Sequence, residues 1–175
     1  MSAAGRQAQW MANAPEATRA LGERLADALR HAPLDRPIVI DLNGELGAGK
    51  TTLASGLLQH LGVKGPVRSP TYTLIEPYEI DARTLYHLDL YRLANARELD
   101  MLALRDLLQP GAVLLVEWAE KGAGALPMAD LAVNLRYPPA CNGNESEGQV
   151  GRQVTAIAYS SIGEMLLDKM VEGAC

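Results

Sequence analysis

Ile38-Val39-Ile40-Asp41-Leu42, followed by Gly44-Glu45-Leu46-Gly47-Ala48-Gly49-Lys50-Thr51 and a run of helix formers to Leu61, decides the fold. The apolar run reads as a strand buried on both faces, as in a parallel sheet. A glycine-rich turn, Gly44 to Gly49, comes next. A helix then runs from Lys50 to Leu61, stopped by Gly62 and the Gly65-Pro66 pair. The residues from Gly44 to Thr51 match GxxxxGK[ST], the Walker A pattern. A chance match in a chain of this length is on the order of 1% at average residue frequencies. The preceding strand and following helix are the context its mechanism requires. Gly44, Gly47, Ala48 and Gly49 would let backbone N–H groups curl around a phosphate. The helix N-terminus adds its positive end. Lys50 would reach β- and γ-phosphate oxygens, the Thr51 hydroxyl would bind Mg²⁺, and Thr52 would reach the α-phosphate. The competing reading is a plain glycine-rich turn with a solvated lysine.

Upstream, Ala17, Leu21, Leu25 and Leu29 form one stripe of an amphipathic helix over Pro15–His31, with Asn13 as its expected N-cap. Residues 1–12 are expected to be flexible. Downstream, Arg68–Pro70 is a loop. Tyr72–Glu79 and Thr84–Asp89 read as an antiparallel hairpin around an Ile80–Arg83 turn. Ala96–Leu108 has the period of a second amphipathic helix, ended by Pro110-Gly111. Ala112–Trp118, Leu131–Arg136 and Gln153–Tyr159 read as strands, and Ser161–Val171 as a C-terminal helix. Residues 138–151, rich in Pro, Gly, Asn and Glu, read as a loop of the disordered type. The expected fold is α/β: a P-loop NTPase-like sandwich with an open mixed, mainly parallel sheet flanked by helices. Its core strands are Ile38–Leu42, Leu85–Asp89 and Val113–Glu117, and residues 1–175 form a single domain.

Composition narrows the function. The chain has 175 residues, with Lys+Arg 16 against Asp+Glu 21 and a net charge of −5. An acidic chain is a poor general nucleic-acid binder, which needs a basic face. Aromatics are 5% with no Phe, so an extended base-stacking surface is not expected. The longest apolar run, Ala112 to Val116, is far short of the ~20 residues of a membrane helix. Met1–Trp10 lacks the apolar segment of a secretory signal. Cys141 and Cys175 show no metal-ligand spacing and suit a reducing compartment. The cytoplasm is the expected location.

A phosphate loop needs an acid to hold the metal's water shell or to orient attacking water. Glu117 ends the strand Val113–Val116, where ligand groups sit in open α/β sheets. Asp89 ends Leu85–Leu88 and is the second candidate, with a salt bridge to Arg92 as its plainer reading. Asp41 is expected at a sheet edge or paired with an Arg. Ser69-Pro70-Thr71-Tyr72-Thr73 is a turn whose hydroxyls, Ser69 and Thr71, could sense the γ-phosphate and metal. His31, His60 and His87 are widely spaced and read as structural or solvated. Trp118 reads as core.

These motifs, in this order, resemble the bacterial TsaE (YjeE) family. The resemblance is carried by Gly44–Thr52, by Ser69–Leu74, by His87-Leu88-Asp89-Leu90-Tyr91-Arg92-Leu93 and by Val116-Glu117-Trp118. It covers Pro15 to Leu135, and more loosely Arg152 to Val171. The resemblance implies the ATP-binding, ATP-hydrolysing, Mg²⁺-dependent component of the machinery that makes threonylcarbamoyladenosine in tRNA. Such a protein works with the TsaB–TsaD complex and does not itself transfer the threonylcarbamoyl group. It also implies a phosphate and metal role for Lys50 and Thr51, a Walker B-like metal role for Glu117, and an activity role for Asp89. Trp118 becomes a functional aromatic, nucleotide contacts fall near Arg152, and Ala17 and Thr18 lie near adenine. The acidic, aromatic-poor composition adds that contact with tRNA would be weak or through partners; Arg68, Arg92, Arg97 and Arg105 could form a local basic edge, or equally be solvated or paired. Two other readings fit the same loop: a small-molecule kinase, and a nucleotide-gated binding module with negligible turnover. The lack of Lys or Arg in residues 138–151 counts against the phosphate-clamping lid of a kinase.

Overall fold

The alternating and continuous apolar runs fold into seven strands among the described residues, which in this computed structural model are 5–95, 98–101, 103–138 and 151–173. They are β1 (Gln7–Ala12), β2 (Ile38–Asn43), β3 (Ile75–Ile80), β4 (Arg83–Asp89), β5 (Ala112–Glu117), β6 (Leu131–Arg136) and β7 (Arg152–Ala158). The helices are α1 (Pro15–Arg30), α2 (Lys50–His60), α3 (Glu98–Met101), α4 (Leu104–Leu107) and α5 (Ser161–Glu172). All strands join one sheet in the order β1-β7-β6-β2-β5-β4-β3. The central strands β6, β2, β5 and β4 run parallel, and β1, β7 and β3 pair antiparallel to their neighbours. The expected α/β sandwich with a mixed sheet, parallel at its centre, is therefore the observed fold. β5 is buried at every position, which is why Ala112–Glu117 reads as an unbroken apolar run with one acid at its end.

Side-chain alternation sends Ile38, Ile40 and Leu42 of β2 to the face covered by α1, α2 and α5. The backbones of α1 and α2 approach closely at two glycines. A Cβ on Gly22 would stand 2.1 Å from the Leu53 carbonyl oxygen, and one on Gly56 2.3 Å from that of Arg19. Val39, Leu88, Leu114 and Val116 line the other face with Leu90, Leu99 and Leu104. Asp130 ties the start of β2 to the start of α5. It takes the Val39 N–H at 3.0 Å, pairs with Arg36 at 2.5 Å and accepts the Ser160 hydroxyl at 2.5 Å.

Several local expectations change. Residues 7–12, for which the sequence predicts no element, are regular structure. They form edge strand β1, whose Ala8, Trp10 and Ala12 pack on the core while Gln7, Gln9 and Met11 face out. The N-cap of α1 is Ala14, with Pro15 opening the helix, not Asn13. The Tyr72–Glu79 strand starts only at Ile75, because Thr71–Thr73 turn and the Leu74 N–H returns to the Pro70 carbonyl at 2.7 Å. The single helix expected over 96–108 is two short ones. Ala103 adopts φ 48° and ψ 41°, a left-handed break that lets Leu99 and Leu104 both reach the core. Arg97, residues 139–150 and both cysteines lie outside the described residues. No helix among the described residues is long and apolar enough to cross a membrane.

Candidate functional site

The loop after β2 bends at Gly47 and Gly49, with φ of 78° and 105°. L side chains strain in that region, which is why glycine stands at both, although the pattern itself fixes only Gly49 of the two. Gly49 caps α2, and the helix starts at Lys50. Lys50 folds back over the loop it follows. Its Nζ donates to the carbonyls of Gly44 at 2.7 Å and Glu45 at 2.9 Å, and lies 3.9 Å from the centroid of the Trp118 ring. Desolvation pushes its ammonium below the ordinary lysine range, against the opposing pull of Glu117, Glu120 and Asp89.

Asp89 and Glu117 are register partners at the C-terminal ends of parallel strands β4 and β5. Both are almost fully buried, 3% and 2% exposed. The Thr51 hydroxyl stands 3.1 Å from each oxygen of Glu117. His87 Nε2 stands 2.9 Å from Glu117 Oε1. Asp89 is held by different groups. Its Oδ2 accepts the Ser69 hydroxyl and, at 2.8 Å, that of Thr71, and its Oδ1 accepts the Tyr91 N–H at 2.9 Å. The salt bridge to Arg92, one of the two readings of Asp89, does not form. Arg92 lies over the Tyr72 ring instead, 4.8 Å from its centroid.

Trp118 is not core. It is half-buried with φ 60°, and it packs against Lys50 and the Tyr91 ring at 5.0 Å. A hollow of about 320 Å³ collects Lys50, Thr51, Ser69, Asp89, Glu117 and Trp118. A second, about 420 Å³, opens between the start of α1 and the loop and is lined by Asn13, Pro15, Thr18, Gly49, Thr52 and Arg152. Arg152 reaches the loop from β7, with Nε 3.2 Å from the Ala48 carbonyl and Nη2 3.2 Å from that of Gly47. Its guanidinium lies 4.1 Å from the Tyr137 ring centroid. A larger hollow, about 970 Å³, lies beyond Trp118 and is lined by Asp41, Asn43, Glu45, Glu120 and Asn134 among others. Asp41 is neither at an edge nor paired with an Arg. It sits on central strand β2 with Oδ1 unpaired, and burial, with Glu120 beside it, pushes its carboxyl up to about 6.

The donor set suits a hard cation. The Thr51 hydroxyl and the Glu117 and Asp89 carboxylates are oxygen ligands, and Mg²⁺ takes one or two carboxylates and completes its shell with phosphate and water. Among the described residues no three His, Cys, Asp or Glu side chains form a closed metal cage. Sequence reasoning missed one member of this cluster, His87. A lone histidine in a strand has no spacing signal, and its partner is brought to it only by the pairing of β4 with β5.

Fold and site together define a class: an α/β protein with a Walker A sequence at the C-terminal end of parallel strand β2 and two buried acids at the ends of the next two strands, β5 and β4. The family model of threonylcarbamoyl adenosine biosynthesis protein TsaE matches residues 12–143. The chain is 48% identical over 116 residues to the Haemophilus influenzae tRNA threonylcarbamoyladenosine biosynthesis protein TsaE, covering 66% of this chain and 73% of that one. It is 33% identical over 165 residues to the Bacillus subtilis protein of that name, covering 94% of each. The Streptomyces coelicolor protein of that name is 45% identical over 149 residues, covering 83% of this chain and 91% of its own. A crystal structure of Bacillus subtilis YdiB superposes with a TM-score of 0.71 at 28% identity, over 98% of both chains. The chain belongs to the TsaE family.

Proposed function

We propose that this chain binds and hydrolyses ATP, with Mg²⁺, as the ATPase of cytoplasmic tRNA threonylcarbamoyladenosine synthesis. It would act with the TsaB–TsaD complex and leave transfer of the threonylcarbamoyl group to its partners. The observation that carries this reading is the Thr51 hydroxyl set against both oxygens of the buried Glu117 at 3.1 Å, next to a Walker A lysine. A bound Mg²⁺ would neutralise charge on the β- and γ-phosphate oxygens.

The chain's own groups divide the rest. Loop amides from Gly47 to Lys50 and the N-terminus of α2 would bind the β-phosphate. Lys50 would exchange its two carbonyl acceptors for phosphate oxygens and stabilise the charge that develops on ADP. Thr51 and Glu117 would hold the metal, and Asp89 would orient water while Ser69 and Thr71 sense the γ-phosphate. The hollow beside Thr18 and Arg152 would take the nucleoside. The net charge of −5 supports contact with tRNA through the partners.

The test is ATP hydrolysis by the purified chain, alone and with TsaB and TsaD. Turnover that rises with the partners and disappears in Lys50→Ala and Glu117→Ala is expected. Turnover that ignores the partners and appears only with a small phosphoryl acceptor would replace this reading with a kinase.

A further inference from the structure

His87 is fully buried on β4, two residues before Asp89. Its Nε2 lies 2.9 Å from Glu117 Oε1. A carboxylate oxygen only accepts, so the proton of this contact sits on Nε2. The other ring nitrogen, Nδ1, is buried with no hydrogen-bond partner. Burying a polar atom unpaired is unfavourable, and an apolar side chain would fill the site without that penalty. Packing alone therefore does not explain a histidine here; its bond to Glu117 does.

Glu117 has several rotatable bonds and needs a fixed donor to hold one orientation. Oε1 accepts from His87 and faces Thr51, while Oε2 faces only Thr51 among the described residues. We propose that His87 is a positioning residue: its Nε2–H pins Oε1, so that Glu117 keeps Oε2 turned to the Thr51 hydroxyl and to the cation held there. This rests on the reading of Thr51 and Glu117 as the Mg²⁺ site. Partners of this kind, one bond removed from a metal, typically change affinity or activity by about 10–100-fold when removed.

The experiment measures ADP binding by the full chain, with and without Mg²⁺, for the wild type, His87→Gln and His87→Met. Gln carries an N–H near the place of Nε2, and Met fills the space with no donor. His87→Met should raise the Mg²⁺ concentration needed for tight ADP binding by about 10–100-fold. Its Mg²⁺-free ADP affinity should not change, and His87→Gln should restore most of the loss. A Met variant with the wild-type Mg²⁺ requirement, or Gln and Met variants impaired alike, would overturn the proposal in favour of packing. Should the Met variant not fold, ¹⁵N NMR of the wild-type ring decides. A proton on Nε2, with a resonance that moves on adding Mg²⁺ to the ADP complex, supports the proposal, and a proton on Nδ1 contradicts it. A wild type whose ADP binding ignores Mg²⁺ would overturn the underlying metal reading and the proposal together, and that failure shows without any variant.

Discussion

Glu117 and Asp89 are chemically alike, equally buried and adjacent in register, yet they are held by opposite kinds of structure. Glu117 is gripped by the first turn of α2 and by a side chain of β4. Asp89 is gripped by the loop at Ser69 and Thr71 and by the backbone of Tyr91. One acid is held by regular elements, a helix and a strand, and the other by a loop. A rigid acid suits a metal ion, which tolerates little error in ligand placement. A loop-tied acid suits a step that changes when the loop moves.

The largest effects should fall on the rigid side. Lys50→Ala and Glu117→Gln should each lower ATP turnover by about 10²–10³-fold, the range for losing one preorganised charge-stabilising group. Glu117→Gln should also flatten the dependence of turnover on Mg²⁺ concentration. Asp89→Asn should cost about 10–100-fold, the range typical of a proton-transfer or water-orienting group, and leave the Mg²⁺ dependence intact. Equal flattening by both acid variants would erase the division between them. Stability sharpens the picture next. Gly22→Ala should destabilise by about 1–3 kcal/mol in urea unfolding, since it overpacks the α1–α2 contact that seats the loop helix. Ser69→Ala with Thr71→Val should change turnover only several-fold and mainly in the presence of partners, measured as the ratio of stimulated to basal rate.

A third acid, Asp41, lies outside both sets of contacts and bears on stability rather than turnover. Its carboxyl is raised from 3.8 to about 6 in the fold. Below its unfolded value it is protonated in both states and contributes no penalty. As pH rises through the window between the two values, the fold loses stability, and above it the loss is complete. Asp41→Asn should therefore stabilise the chain by about 1–3 kcal/mol at pH 8 and by nothing near pH 3, in denaturant titrations at both values.

Much of this was legible from residues alone because its signals are local. An apolar run, a glycine loop and a helix in sequence specify β2, the loop and α2, and a strand-end acid specifies Glu117. The hairpin strands, β6 and α5 followed from period and turn residues. What escaped depends on distant partners. Gln7–Ala12 contains no Val or Ile and becomes a strand only because β7 offers an edge. Ala103 breaks a helix whose period looks continuous, because two leucines on either side both find the core. Trp118 itself takes the left-handed backbone after Glu117, at the edge of the core beside Lys50 and Tyr91, and nothing in its identity announces that conformation. His87 meets Glu117 across neighbouring strands, a contact that no spacing encodes.

The most direct test of the account is a crystal of the chain grown with Mn²⁺ and a non-hydrolysable ATP analogue, with the metal located by its anomalous signal. The account predicts a γ-phosphate on Lys50 and a metal peak against the Thr51 hydroxyl, faced by Glu117. A nucleotide bound away from the Gly44–Thr51 loop, or a metal held by Asp89 with Glu117 turned aside, would contradict it.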